Sequence, residues 1–406
     1  MIELRPKGSL ESAQGESQLL DVTHSLAHHE GFHLAGKPTA YADLLFPLFA
    51  AAVMQPFGNS PYPVLYAQLI LSCATALLLY VLGRKRFGSS AGLLLCGAWL
   101  FYPGAILATS LFLTITLFVF LWVLSLLMYD RLEDNGFRLR DAVLLGICAG
   151  LTALTRTVGV VLLLSLVLYL SFLRFGPFGP THWRSAAILF VSALIIMAPW
   201  MARNAVKFGS FSLNTNNRLS LVTGEIPING AFPPLEVADG NAAFRAASST
   251  DATSAIASLN LGKIWVRKLT RLWATDISLW TNYFEPVGGV RDPDMQHWHL
   301  FPVAVASIPG MLAVGLGVTG LILVQRFRSR RLLLVQLLLG VAAIFLTSGL
   351  PRDHFVFLPA LMISAAALWR PMVWARASGQ QRFAVVVSLG IFAGLWLVEG
   401  LVLVGV

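Results

Sequence analysis

Residues 110–128 have the sequence SLFLTITLFVFLWVLSLLM, a run of nineteen residues without a charged side chain. A helix of this length is about 28 Å long, close to the thickness of the hydrocarbon core of a bilayer. Because no water is present in that core, the backbone must satisfy its own amide and carbonyl groups, which a helix does. The run therefore predicts a transmembrane helix.

Similar apolar runs recur along the 406-residue chain, which is 56% hydrophobic and only 12% charged. They lie at roughly 63–83, 90–108, 142–155, 158–173, 186–202, 300–324, 332–348, 354–369 and 383–406. This composition is too apolar for a soluble domain, and continuous runs do not fit the alternating strands of a membrane barrel. We therefore predict an all-α protein, a polytopic transmembrane helix bundle with about ten spans.

Basic residues are concentrated in alternate connections between these runs. The cationic connections hold Arg84, Lys85, Arg86, Arg131, Arg138, Arg140, Arg174, Arg184, Arg326, Arg328, Arg330, Arg331, Arg370, Arg376 and Arg382. Only Arg156, Arg203 and Arg352 lie close to helix ends on the opposite side. The positive-inside rule places the larger set in the cytoplasm, so the opposite side faces the periplasm or cell exterior of a bacterial inner membrane.

This topology divides the chain into four parts. Residues 1–62 form an outer N-terminal segment with surface helices, 63–205 a transmembrane bundle, 206–298 an extracytoplasmic loop, and 299–406 a C-terminal transmembrane bundle. The N-terminal segment would be exported without a preceding apolar segment, so we expect either a missing upstream helix or a short variant.

The long loop contains a pattern typical of a helix that lies in the membrane interface. Trp265, Leu269, Leu272 and Trp273 recur at helical spacing, and the flanking basic residues include Lys268 and Arg271. Such a helix contacts membrane lipids, either as an anchor for the loop or through direct contact with a lipid phosphate.

Other residue patterns do not indicate a cofactor, a metal or nucleic acid. The three cysteines lie inside apolar runs, and His24, His28, His29 and His33 have neither a cysteine nor an HExxH motif beside them. Gly315-Leu316-Gly317 has no strand-turn-helix context, so it fits close helix packing better than dinucleotide binding. The net charge of +9 is explained by the topology.

Several short motifs occur in a fixed order along the chain. They are Phe46-Pro47-Leu48-Phe49, residues 82–88, Phe101-Tyr102-Pro103-Gly104, residues 149–156, residues 198–204 with Phe208-Gly209, and residues 352–359. In order and spacing they resemble the bacterial relatives of protein O-mannosyltransferases and lipid A aminoarabinose transferases. The resemblance implies a GT-C membrane architecture, with an N-terminal interfacial segment and one long outer loop.

The resemblance also implies a function. Such enzymes transfer a sugar from a polyprenyl-phosphate donor to a lipid, polysaccharide or protein acceptor, without a metal or cofactor. An acid in the first outer segment serves as general base, and that position is occupied here by Glu16. This chain departs from the family pattern because no tyrosine follows Glu16 and because Ile115 stands where many relatives have an acid.

Glycosyl transfer needs a carboxylate for the acceptor proton and cations for the departing phosphate. We predict Glu16 or Asp21 as the catalytic acid, with Glu16 favoured by the resemblance alone. The predicted substrate-binding residues are Asp43, Arg156, Arg203, Asn204, Lys268, Arg271, Arg352 and His354. His354 and its neighbours fit a hairpin turn equally well.

Two other functions compete with the transferase. A transporter or flippase of a lipid-linked or small polar solute would carry ionisable residues deep inside its spans, whereas here only Glu399 is an acid within an apolar run. An inactive accessory subunit is favoured by the departures at Glu16 and Ile115.

Overall fold

The computed structural model describes residues 14–173, 182–214, 300–324, 327, 329–346, 355–369 and 373–404. Within these ranges the chain forms thirteen α-helices and one two-stranded hairpin. The helices are α1 Gln14–Ala27, α2 Leu45–Met54, α3 Tyr62–Phe87, α4 Ser89–Leu100, α5 Pro103–Ser110, α6 Ile115–Asp134, α7 Leu139–Thr155, α8 Gly159–Leu168, α9 Trp183–Phe208, α10 Leu300–Leu323, α11 Arg330–Leu346, α12 Leu358–Ala366 and α13 Gly379–Val404. Strands β1 His33–Leu34 and β2 Lys37–Pro38 pair antiparallel.

The predicted all-α membrane bundle is confirmed, and each predicted apolar run contains a helix. Among the described residues, α3, α6, α9 and α13 are each long and apolar enough to cross a membrane, and α4 with α5 makes a fifth, bent candidate. The other apolar helical stretches found in the described part are shorter: Leu45–Phe57, Gly159–Phe172, Ser307–Leu323 of α10, and Leu358–Trp369. The prediction of about ten spans therefore corresponds to ten helical runs, of which five meet the length and hydropathy of a span in the described part.

Two predicted runs differ from the observed helices. The run 90–108 is broken between α4 and α5, whose axes differ by 49°. Pro103 begins α5, and Tyr102 before it is extended, as steric contact with a proline ring favours. The run 110–128 becomes helical only at Ile115, because Leu111 is extended.

The bundle has two ends that differ in character. At one end, which we call the cationic end, residues 85–87 of α3 meet Asp130 and Asp134 of α6 and Phe327 and Ser329 before α11. At the other, the loop end, residues 32–43 meet Thr157 and residues 203–214. The alternation of basic connections in the sequence thus corresponds to a physical separation in the fold.

A buried ion pair joins the helices at the cationic end. Arg86 Nε and Nη2 donate to the two carboxylate oxygens of Asp130 at 3.0 and 2.9 Å, and both side chains are fully buried. Ser329 Oγ donates to Asp130 Oδ1 at 3.4 Å. The pair therefore ties α3 and α6 to the segment that precedes α11.

Glycines allow several helices to approach closely. A Cβ atom on Gly317 of α10 would lie 2.7 Å from the carbonyl oxygen of Leu361 in α12. This confirms the predicted packing role of Gly315-Leu316-Gly317. A second seam joins α7 to α9, where Gly146 and Gly150 face the backbone of Leu189 and Ala193. Small residues at four-residue spacing bring helix backbones together in membranes.

The N-terminal segment covers the loop end of the bundle. Helix α2 buries Phe46, Ala50 and Met54 and exposes Leu48. The Phe46 ring packs edge-on against Phe112, with centroids 5.3 Å apart. This packing fixes the position of Asp43, two residues before the helix begins.

Candidate active site at the loop end

Asp43 lies where three distant parts of the chain meet. It is half-buried, and its Oδ1 accepts hydrogen bonds from Thr157 Oγ1 at 2.8 Å and Asn214 Nδ2 at 2.7 Å. Asn214 Nδ2 is also 2.7 Å from Thr157 Oγ1, to which it donates. The carboxylate is thus held by the turn after α7 and by Asn214, near the beginning of the long loop.

Burial raises the pKa of Asp43 from the usual 3.8 to about 6. Hydrogen bonds from Thr157 and Asn214 and the charge of Arg156 oppose this rise, because each stabilises the ionised carboxylate. The group is consequently ionised at pH 7 and yet more basic than an ordinary aspartate. A pKa close to the working pH is typical of groups that exchange protons in a reaction.

A tight turn presents Arg156 and Thr157 to this site. Helix α7 ends at Thr155, Arg156 is extended, and the amide of Gly159 donates to the Arg156 carbonyl at 2.8 Å. A Cβ atom on Gly159 would lie 2.7 Å from the Cα of Ala153, so only glycine fits this close reversal into α8. The turn therefore places a cation and a hydroxyl side by side.

Arg203 joins α9 to the N-terminal segment. Its Nη1 donates to the Thr39 carbonyl at 2.7 Å and to Asn204 Oδ1 at 2.9 Å, and its Nη2 donates to the Phe32 carbonyl at 3.4 Å. The guanidinium also lies over the Trp200 ring, 4.5 Å from the centroid. Through these bonds, Arg203 holds the segment around the β1–β2 hairpin against α9.

Asn204 and Trp200 hold the beginning of the long loop. Asn204 Nδ2 donates to the Ser212 carbonyl at 2.9 Å, and Trp200 Nε1 donates to the Leu213 carbonyl at 2.7 Å. These bonds bring Asn214 to Asp43. The sequence predicted that Asn204 binds substrate, whereas its observed bonds are with the protein backbone and Arg203.

We expect Arg203→Ala to lower the free energy of unfolding by about 2 kcal/mol, because it leaves the Thr39 and Phe32 carbonyls without a charged donor. Thermal unfolding of the detergent-purified protein measures this. The control is Arg184→Ala, which removes an exposed arginine from the other end of α9 and should change stability little. If Arg203→Ala has normal stability but no longer binds undecaprenyl phosphate, Arg203 binds substrate, as the sequence predicted.

The other predicted residues are distributed as follows. Asp21 Oδ2 accepts the amide of Ala35 at 2.7 Å, so this exposed acid caps the hairpin turn. Glu16 belongs to the first turn of α1, but its side chain lies outside the described part of the structure. Lys268, Arg271, Arg352 and His354 also lie outside the described residues.

The structure thus brings Asp43 and Arg156 together out of the predicted set. Thr157 and Asn214 complete the site, although the sequence did not single them out. Thr157 had a signal in its position, since it directly follows the predicted cation Arg156. In the described ranges no three His, Cys, Asp or Glu side chains are grouped so that they could hold a metal ion, and His24 and His28 stack with centroids 6.5 Å apart.

Part of this chain matches the model of a known protein family. The model of the dolichyl-phosphate-mannose-protein mannosyltransferase family matches residues 38–202. The predicted resemblance to this transferase family is confirmed. The matched segment includes Asp43, Arg156 and Thr157, and it ends just before Arg203.

Two solved structures are similar to this chain. Both are of ArnT from Cupriavidus metallidurans. The crystal structure bound to undecaprenyl phosphate matches with 16% identity and a TM-score of 0.45, and the apo crystal structure with 14% and 0.42. Each match covers 86% of this chain and 72% of the ArnT chain. No curated protein matches this chain.

Proposed function

We propose that this protein is a membrane glycosyltransferase that moves a sugar from a polyprenyl-phosphate donor to an acceptor at the loop end of the bundle. One observation carries the proposal. The segment that matches a family of dolichyl-phosphate-sugar transferases is the segment that places a carboxylate, Asp43, beside a cation, Arg156, at one end of a membrane bundle.

The site has the charges that the reaction requires. When the bond between the anomeric carbon and the phosphate oxygen breaks, the polyprenyl phosphate leaves with the bonding electrons and gains negative charge. Arg156 is a half-buried cation at the end of an apolar helix, where the headgroup of a membrane lipid would lie. A fixed positive charge in such a water-poor place stabilises the leaving phosphate more than it would in water.

Lys268, Arg271, Arg352 and His354 are proposed to support Arg156 from the segments outside the described residues. The acceptor hydroxyl must lose a proton as its oxygen bonds to the anomeric carbon, and for this the resemblance favours Glu16. We further propose that the donor carries a hexose or a pentose and that the acceptor is a lipid, a polysaccharide or a protein. By the positive-inside rule, the loop end faces the periplasm or cell exterior of the inner membrane.

The proposal is tested by transfer from defined donors. Purified protein in nanodiscs would be incubated with undecaprenyl-phosphate carrying a labelled hexose or pentose and with cell-envelope extract, and mass spectrometry would identify the labelled product. A deletion strain should lack that same sugar in its envelope glycans. Binding of undecaprenyl phosphate without transfer of either sugar would favour the accessory subunit, and movement of the intact donor across the bilayer would favour the flippase.

We predict that Arg156→Ala weakens binding of undecaprenyl phosphate by roughly 10- to 100-fold, the value of one charge-assisted hydrogen bond. Native mass spectrometry of nanodisc complexes or a thermal-shift titration measures the change. Arg140→Ala is the matched control, because Arg140 is an exposed arginine at the opposite end of α7. Equal losses in both variants would show that general positive charge, and not this position, attracts the lipid.

A further inference from the structure

We infer that Asp43, and not Glu16, is the carboxylate that takes the proton of the acceptor hydroxyl, with Thr157 and Asn214 as positioning residues. The inference rests on the proposed glycosyl transfer. It assigns a catalytic residue to the centre of the observed site, whereas the resemblance alone favoured a residue at the start of α1.

The Asp43 carboxylate is held in a fixed orientation. Two donors meet its Oδ1, the hydroxyl of Thr157 and the amide of Asn214, at 2.8 and 2.7 Å. A carboxylate has about four lone-pair sites, so these bonds fix the group and leave it able to accept a proton. Catalytic groups held in this way act at a defined distance from their substrate.

Asp43 also lies beside the proposed phosphate site. Arg156 and Thr157 are consecutive residues of one turn, and the first acts on the Asp43 charge while the second binds its carboxylate. Proton acceptor and leaving-group cation would thus be held by a single rigid element. The turn is kept tight by Gly159, as described above.

The carboxylate of Asp43 is more basic than that of an exposed aspartate. Burial gives Asp43 a pKa of about 6, so at pH 7 it is ionised and still a better base than an exposed aspartate. Asp21, by contrast, is exposed, and one of its oxygens caps the hairpin through the Ala35 amide. Of the acids in the described N-terminal segment, Asp43 combines burial with contacts from two distant parts of the chain.

The proposed step is a single displacement. The acceptor oxygen forms a bond to the anomeric carbon as the bond from that carbon to the phosphate oxygen breaks. The polyprenyl phosphate departs with the electron pair, and the hydroxyl proton passes to the Asp43 carboxylate, which later releases it to water. No oxidant, reductant or metal enters this balance.

The decisive comparison is Asp43→Asn against Glu16→Gln, assayed with the labelled donor that the wild-type protein uses. We expect Asp43→Asn to lower turnover by roughly 10²- to 10⁴-fold, the usual contribution of a general base, with undecaprenyl phosphate binding unchanged. Glu16→Gln should lower turnover far less than Asp43→Asn does, and Glu30→Gln, at an exposed acid of the same segment, is the control that should keep wild-type turnover. Wild-type turnover in Asp43→Asn, or a large loss confined to Glu16→Gln, would overturn the assignment while leaving the proposed function intact.

Failure of the proposed function gives a different result. If the wild-type protein transfers no sugar from any donor, the function and this inference both fall.

The pH dependence of the reaction gives a second test, because a residue with a purely structural role would not change it. In the wild type, kcat/KM should rise through pH 6 as Asp43 loses its proton, and Asp43→Asn should lack that rising limb.

The positioning residues are tested by a matched pair at Thr157. Thr157→Val removes the hydroxyl bond that stabilises the ionised carboxylate, so the midpoint of the rising limb should move to higher pH. Thr157→Ser retains the hydroxyl and should restore the wild-type midpoint. The charged group that acts on Asp43, Arg156, is present in both variants. An unchanged midpoint in Thr157→Val would contradict the positioning role.

Discussion

Asp130→Ala is expected to lower the free energy of unfolding by about 3–5 kcal/mol, because it leaves the fully buried guanidinium of Arg86 without its counter-charge. The bidentate pair joins α3 to α6, and Ser329 extends it toward α11. Denaturation of the purified protein in mixed micelles, followed by tryptophan fluorescence, gives the stability change. The yield of folded protein in detergent should fall with it.

A neighbouring ion pair provides the control for this prediction. Lys85 and Asp134 lie at the same end of the bundle, but their side chains are 31% and 41% exposed. Asp134→Ala should therefore cost less than about 1 kcal/mol, since water screens an exposed pair. Equal effects of Asp130→Ala and Asp134→Ala would mean that burial does not set the strength of the Arg86 pair.

The ion pair also illustrates a limit of sequence reasoning. Arg86 is one of the basic residues of the alternate connections, and it lies at the cationic end of the bundle. Hydropathy and charge counts cannot reveal that this arginine is buried while Lys85 beside it is half-exposed, because both residues follow the same apolar run. That difference depends on which neighbouring helix supplies a carboxylate.

The bundle itself could be predicted because the bilayer imposes a length and a composition on each helix. Each of the ten apolar runs contains a helix. The break before Pro103 was missed, although the proline gave a local signal, because hydropathy alone does not detect a bend. Boundaries set by turns, such as the late start of α6 at Ile115, were missed for the same reason.

The site was only partly predictable. Asp43 and Arg156 stand out as charges near apolar helix ends, so the sequence identified them as candidates. Thr157 and Asn214 are neutral polar residues of common types, and their partner Asp43 lies 114 and 171 residues away in the chain. Arg203 was also predicted to bind substrate; its observed partners are the Thr39 and Phe32 carbonyls and the Asn204 side chain, and its role toward a substrate stays a prediction.

Gly146→Val is expected to destabilise the bundle by about 3 kcal/mol and to reduce transfer activity at the far end of the same helices. A Cβ atom at Gly146 would lie 2.4 Å from the carbonyl oxygen of Leu189, which is backbone and cannot rotate away. Helix α9 would have to move from α7. Because α7 leads to Arg156 and α9 carries Arg203 and Asn204, the displacement would separate the two sides of the site.

Gly97→Val provides the control, because a Cβ atom at Gly97 of α4 would meet nothing within 4 Å. That variant should fold and transfer nearly as the wild type does, with only the small helix-propensity change of the substitution. Thermal unfolding and turnover measured on both variants separate two explanations. If Gly146→Val lowers stability alone, the α7–α9 seam only holds the bundle together. A loss of turnover at temperatures where the variant is still folded would mean that the seam also sets the spacing between Arg156 and the residues that hold Asn214.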